Sequence, residues 1–363
     1  METASLKPLS FDSIKGWAQD DHAQAFAAFL RSARRMAQKP YKTRALGEDG
    51  TALAAIGEKA LAADNTSASD AKVFFERHFQ PHHVMPQQDA AAGFMTGFFE
   101  PEMQASLQQS EAFPEPLYAR PPELVDLNDD NRPPELDETY RYGWLANGKI
   151  VQSPDRGAIN AGALAELGLE IAWMRNRVDA FFIHVQGAAK LMLPDGESLR
   201  VTYAGKTGHP YTSLGRLLCE RLGVTTAQMT SDVLRDWMME NPAQLDEVLA
   251  HNRSYIFFEA SEAGEVDGPI AAAKVPLMPH RSLAVDRSLH TFGVPFFIST
   301  HTPLPGETTP FRKLMIAHDT GSAIVGPARG DIFCGTGDAA GMQAGRIQHA
   351  ADMIVLMPKA LTV

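Results

Sequence analysis

From Ser254 to its C-terminal end the chain breaks into short apolar runs: YIFFEA, SLAVD, VPFFIST, KLMIAHD, AIVG, DIFCG and MIVLM. Each is too short for a stable helix, and most are bounded by Gly, Pro or Asp, so they read as strands joined by turns. Short strands at close spacing bury their edges by closing on themselves. This stretch therefore predicts a small closed β-barrel and constrains the rest of the fold more than any other feature.

The first 85 or so residues have a different texture. Asp20-Asp21 can cap a helix with Ala25, Phe26, Phe29, Leu30 and Ala33 on one face. A second helix is expected in TALAAIGEKALAAD, and a third begins after Ser67 or Ser69 and stops before Pro81. GFMTGFFEPEMQAS (93–106) reads as strand and turn, and 113–156, rich in Pro, Asp and Asn, reads as long loops. A short helix over 155–168 follows, ending at Gly168. DAFFIHVQGAAKLMLPDGESLRVTYAG then reads as three alternating strands, with PDG as a hairpin turn. Helices are expected in TSLGRLLCERLG, capped by Thr212 or Ser213 and ended by Gly223, in TSDVLRDWMMENP, and in NPAQLDEVLAHN. If the early TGFFEP strand joins the terminal barrel, the middle of the chain is an insertion.

With 363 residues, 44% of them apolar and 21% charged, the chain is long enough for two globular domains. A net charge of −11 argues against nucleic acid as a partner. No apolar run is long enough to span a membrane. METASLKPLSFDSIKGW has no basic segment followed by an apolar one and no lipidation Cys, so no export signal is expected in the chain as it stands. Cys219 and Cys334 are too far apart for zinc-ligand spacing and read as buried thiols.

Three aspartates share one setting. Asp286 in SLAVDRSL, Asp319 in AHDTGSA and Asp331 in ARGDIFCG each adjoin an apolar strand and a turn. An Asp at a strand end ordinarily forms an Asx-turn. If the barrel brings these three together, burial and like charge raise a carboxyl pKa, as a proton donor near neutral pH requires. A magnesium or calcium triad is the rival reading, but the close-spaced oxygens of a calcium loop are missing. His280, His290, His301 and His318 lack zinc spacing, GDIFCGTGDAAG lacks the G-K-[ST] of a phosphate loop, and no G-x-S-x-G is present. Neither a metal nor a cofactor is expected.

VQGAA (185–189) and YAGKTGHPYTSLG (203–215) concentrate neutral polar groups beside aromatics, which suits sugar hydroxyls and ring faces as well as it suits a turn and a helix cap. TGFFEP adds another aromatic strand with Thr96 in it.

The tail VPLMPHRSLAVDRSLHTFGVP, followed by KLMIAHDTGSAIVGPARGDIFCGTGDAAGMQAGRIQH, resembles the signature end of the MltA family, the membrane-bound lytic murein transglycosylases A. TGFFEPEMQAS, DAFFIHVQG, YAGKTGHPYTSLGRLL and HNRSYIFF resemble its other blocks in the same order, and WAQDDHAQAFAAF fits near the start. The resemblance runs from about residue 90 to about 358 and implies a mainly β fold with flanking helices. It implies a double-psi β-barrel domain from 1–103 and 243–363, an inserted second β-barrel-like domain over 104–242, and a groove between them for a glycan strand. The family's acid/base aspartate falls on Asp331, with Asp319 and Asp286 in supporting places. Thr96, Gln186, Tyr203 and Tyr211 are the expected sugar contacts. Two departures stand out: the family block VQGSG is VQGAA here, with Ala188 and Ala189, and TGYY is TGFF.

The resemblance implies cleavage of the β-1,4 bond after N-acetylmuramic acid in peptidoglycan, with a 1,6-anhydro product and one Asp as acid and base. Peptidoglycan strands are the implied partner, and the periplasm or outer membrane the implied location. Two other readings are a non-catalytic, expansin-like peptidoglycan binder and a true hydrolase that uses water as nucleophile.

Overall fold

A computed structural model of the chain describes residues 6–63, 67–86, 90–226, 228–261 and 268–359. The chain divides into two compact units, Met1–Glu100 with Ala263–Val363, and Pro101–Glu262.

The first unit is built on a closed barrel. Strands Gln348–Pro358, Pro295–Pro303, Pro310–Asp319, Ser282–Val285, Arg329–Thr336 and Gly93–Glu100 pair in that order. Gly93–Glu100 then pairs back onto Gln348–Ala351 and closes the ring of six. Two contacts in the ring are parallel, Ser282–Val285 with Pro310–Asp319 and Arg329–Thr336 with Gly93–Glu100. This is the double-psi barrel that the resemblance implied. Strands Phe79–Val84 and Leu6–Pro8 extend the sheet outside the ring.

Three helices cover the barrel, His22–Gln38, Gly50–Leu61 and Ala68–His78, and their N-terminal N–H groups are met by Asp21, Asp49 and Ser67. Their apolar faces place Phe26, Phe29, Leu53 and Phe75 in one core with barrel residues such as Phe297 and Ile316. The join is fixed by a buried ion pair. Arg281 donates through Nη1 and Nη2 to the two carboxylate oxygens of Asp20 at 2.8 and 2.9 Å, and Asp20 also accepts from the Leu314 N–H at 2.7 Å. Gly97 has a steric reason: a Cβ there would stand 2.8 Å from Cα of Ala344 in the helix Asp338–Ala344.

The second unit holds a six-stranded sheet in the order Ile256–Ser261, Ser198–Lys206, Ala188–Met192, Glu102–Ser106, Glu170–Met174, Glu115–Tyr118. Its outer strands meet at one bridge, Ala119 to Phe258, which makes it barrel-like. Leu124–Asp126, Tyr142–Ala146 and Lys149–Val151 form a separate small sheet. The PDG turn joins Ala188–Met192 to Ser198–Lys206, with Gly196 at φ 88°.

Several elements differ from the sequence reading. DAFFIHVQ is not a strand but lies in the helix Arg177–Gln186, where Asn176 caps the Asp179 N–H and Gly187 ends the helix at φ 77°. The apolar run suits a buried helix as well as a strand, and the caps decide. The helix expected over 155–168 is only Arg156–Asn160, followed by turns. AIVG is loop, lying between the strands Pro310–Asp319 and Arg329–Thr336. The expected return to the barrel at 243 comes later, beyond strand Ile256–Ser261. Helix Pro242–His251 buries Val248 and Leu249 with Phe181, Leu218 and Met238, and Ile256–Ser261 pairs with Ser198–Lys206, so both belong to the insert.

Candidate active site

Asp331 sits inside the strand Arg329–Thr336, opposite Thr96 on one neighbouring strand and Ala284 on the other. Ala284 in turn stands opposite Asp319. Residues in register on adjacent strands project to the same face, so Thr96, Asp331, Ala284 and Asp319 form one row across four strands, with a small Ala between the two acids. A bulge makes the row possible. Leu283 pairs with Ala317 but Ala284 pairs with Asp319, so His318 is the extra residue and the strand is advanced by one. His318 is locked in place, with Nδ1 2.8 Å from Ser282 Oγ and Nε2 2.9 Å from Ser32 Oγ. Burial holds its pKa down to about 3, so it stays neutral.

Asp331 is half-buried as a residue, with its carboxyl the more shielded part. Thr96 Oγ1 donates to its Oδ1 at 2.5 Å, and the same hydroxyl accepts from Arg329 Nη2 at 2.7 Å. The guanidinium of Arg329 also stands over the Phe94 ring at 5.4 Å. Desolvation dominates and pushes the Asp331 pKa up to about 6, against the lowering effects of the Thr96 hydrogen bond and Arg329. Asp319 is likewise pushed up to about 6, chiefly by burial and further by the charge of Asp331, although the backbone N–H groups of Ala272 and Thr320 bond to it. Two carboxyls with pKa values raised to about 6 thus share one row, separated by the strand that carries Ala284.

Asp286 does something else. Its Oδ1 accepts from the N–H and hydroxyl of Ser288 at 2.9 and 2.6 Å, and its Oδ2 accepts from the Gly326 N–H at 2.8 Å. Both oxygens are thus committed to bracing two loops, the Asx-turn role in extended form. Glu48 and His290, both fully buried, brace the same region: His290 Nδ1 lies 2.7 Å from Glu48 Oε1 and its Nε2 lies 2.7 Å from the carbonyl of Pro327. No three His, Cys, Asp or Glu side chains among the described residues are arranged to hold a metal ion.

The other expected contacts fall in the insert, apart from Thr96, whose hydroxyl is already engaged by Asp331 and Arg329. Gln186 ends the helix Arg177–Gln186. Tyr203 lies on the strand Ser198–Lys206 and donates to the Tyr142 hydroxyl at 3.1 Å. Tyr211 is exposed. In the departures from the family blocks, Phe98 packs on Phe333 with ring centroids 5.2 Å apart, and Ala189 is fully buried in the insert core. Sequence reasoning missed Arg329 as the partner of Thr96, although it stands two residues before Asp331. It also missed the Asp20–Arg281 and Glu48–His290 pairs, whose members are too distant in sequence to suggest each other.

Comparison with known proteins covers both parts of the chain. Residues 94–259 match the family model described as the MltA specific insert domain, and residues 281–357 match the 3D domain. The crystal structure of a membrane-bound lytic murein transglycosylase from Agrobacterium tumefaciens is 45% identical, with 98% of each chain covered and a TM-score of 0.90. The membrane-bound lytic murein transglycosylase A of Vibrio cholerae is 34% identical over 59% of this chain and 58% of its own length. That of Escherichia coli is 31% identical over 72% of this chain and 64% of its own length, so this chain spans less than two thirds of either relative. With both family domains matched in order and a solved relative aligned from end to end, the chain belongs to the MltA family.

Proposed function

We propose that the protein is a peptidoglycan lytic transglycosylase in which Asp331 alone serves as acid and base. The observation that carries this reading is the Asp331 carboxyl itself, desolvated enough to raise its pKa to about 6 and with one oxygen held by Thr96. The relatives named as lytic murein transglycosylases support the substrate class.

Protonated Asp331 gives its proton to the glycosidic oxygen as the bond from C1 of N-acetylmuramic acid breaks. The C6 hydroxyl of the same sugar then closes on C1 and forms the 1,6-anhydro ring, and its proton returns to the Asp331 carboxylate. A glycosidase that recruits water needs two carboxyls, one of them to activate the water or attack C1. Here the nucleophile is tethered to the reacting carbon, so positioning replaces the second carboxyl. Thr96 occupies Oδ1 and leaves Oδ2 to move the proton. Arg329, linked through Thr96, favours the carboxylate that exists between the two transfers. Asp319 stands in the same row, and the charge of Asp331 helps to raise its pKa into the same range. Asp286 acts as a loop brace, and Gln186, Tyr203 and Tyr211 offer an amide and phenols to sugar hydroxyls. The relatives' names place them at a membrane, and we propose the periplasmic face of the cell wall as the place of action. No helix among the described residues is long and apolar enough to cross a membrane.

Digestion of purified sacculi is expected to release muropeptides each lighter by one water than the hydrolytic products, read by mass spectrometry. Products of hydrolytic mass would replace this mechanism with water attack. Thr96→Val is expected to lower activity by roughly tenfold, the cost of one hydrogen bond to a charged group. Because that bond lowers the Asp331 pKa, its loss also moves the alkaline limb of the pH–activity profile upward. An unchanged profile would remove Thr96 from the proton-transfer machinery.

A further inference from the structure

The insert contains a cavity of its own, of about 310 Å³, that the chemistry of Asp331 does not use. Arg156 lines it and is 2% exposed. Its guanidinium donates to the carbonyls of Asn252 and Ser254 at 2.9 and 2.6 Å and to His184 Nδ1 at 2.9 Å. The rings of Phe181 and Tyr255 flank it at 5.3 and 5.1 Å. No carboxylate among the described residues lies within ion-pair distance of it. A buried guanidinium without a counter-ion is costly, and this one keeps two of its five N–H groups uncommitted.

His184 carries a matching signal. Arginine can only donate, so His184 Nδ1 accepts and the ring proton sits on Nε2. That Nε2 is buried and has no hydrogen-bond partner, and the same is true of Nδ2 of Asn160, which also lines the cavity. Tyr118 and Tyr255 complete the buried lining. The deep part of the cavity is thus rich in donors and carries one uncompensated positive charge. The more exposed lining has the opposite character, with Glu166 and Glu170, and Glu115 held by Arg177 at 3.0 Å. Glu166 keeps a left-handed backbone, φ 68°, which a non-glycine residue adopts only when its surroundings impose it.

We infer that this cavity binds a small amino-carboxylate, its carboxylate set toward Arg156, His184 and the two phenols and its ammonium toward Glu166 and Glu170. An acceptor-only anion satisfies the buried donors, and a cation satisfies the carboxylates nearer the mouth. The aromatic and prolyl walls, Trp173, Phe181 and Pro116, suit a short aliphatic body. The inference does not rest on the role given to Asp331.

Isothermal titration of the full chain with alanyl-alanine of each hand tests it, at up to about 10 mM, where a site of millimolar affinity fills. Saturable binding is expected for at least one hand. Converting the carboxylate to its amide is expected to weaken binding by on the order of tenfold or more, and N-acetylation by several-fold. Arg156→Gln should abolish binding. Glu170→Gln, a change away from the buried charge, should weaken the free-amine probe and leave the N-acetyl probe unaffected, which keeps the test decisive if Arg156→Gln does not fold. No saturable binding by any probe, or binding indifferent to amidation, would overturn the inference.

Discussion

Asp331→Asn is expected to end the release of 1,6-anhydromuropeptides from sacculi, with a fall of roughly 10²–10⁴-fold or to background, the range that a positioned acid/base contributes. The same substitution should stabilise the protein above neutral pH. Burial raises the folded-state pKa of Asp331 from 3.8 to about 6, so between these values the folded chain binds more protons than the unfolded one. Stability therefore falls as pH rises through that window and stays lower above it. Asparagine cannot ionise and escapes this penalty, by roughly 1–2 kcal/mol once partial solvent access is allowed for. The two readouts together distinguish lost chemistry from lost folding. A variant that is inactive and melts higher than wild type at about pH 8 supports the role of Asp331, in the usual trade of stability for activity. Wild-type product yield from the variant would refute that role outright. A variant that is inactive and melts lower would remove the electrostatic account of the site.

Asp20→Ala is expected to destabilise the barrel unit by about 3–5 kcal/mol, the cost of leaving a buried charge without its partner. Arg281 is 1% exposed and its guanidinium is held by both oxygens of Asp20. Loss of Asp20 strands that charge and also leaves the Leu314 N–H without its acceptor. Replacing both partners by apolar groups, Asp20→Leu with Arg281→Met, should cost less than Asp20→Ala alone, because no buried charge is left behind. Chemical denaturation of the three proteins measures this directly. A single variant within about 1 kcal/mol of wild type would show that the pair is solvated in solution and does not fasten the N-terminal segment to the barrel.

How much of this was legible in the sequence differs by element. The helices His22–Gln38 and Leu214–Leu222 announced themselves through capping residues and helical spacing, because both signals are local. The run DAFFIHVQ misled, since a short buried apolar segment fits a strand or a helix equally until its caps are weighed. The end of the insert was misplaced because nothing local shows that the helix Pro242–His251 packs with Phe181 and Met238, or that YIFFEA pairs with Ser198–Lys206. Asp331 was visible as an acid among apolar neighbours. The Thr96 hydroxyl that holds it lies 235 residues earlier, and nothing local in either segment reveals the pair.

By itself, then, the sequence determined the strand-rich barrel, the helices that precede it, and a few acids in positions where water would be scarce. These follow from local periodicity, turn chemistry and the cost of burying charge. Tertiary structure alone decided what surrounds each acid. Strand pairing set Asp331 between Thr96 and Ala284, a single bulge at His318 moved Asp319 into the same row, and loop packing turned Asp286 into a brace. The reason is physical: a carboxyl's pKa is set by the neighbours that desolvate and bond it, and in this chain those neighbours arrive from strands far apart in sequence.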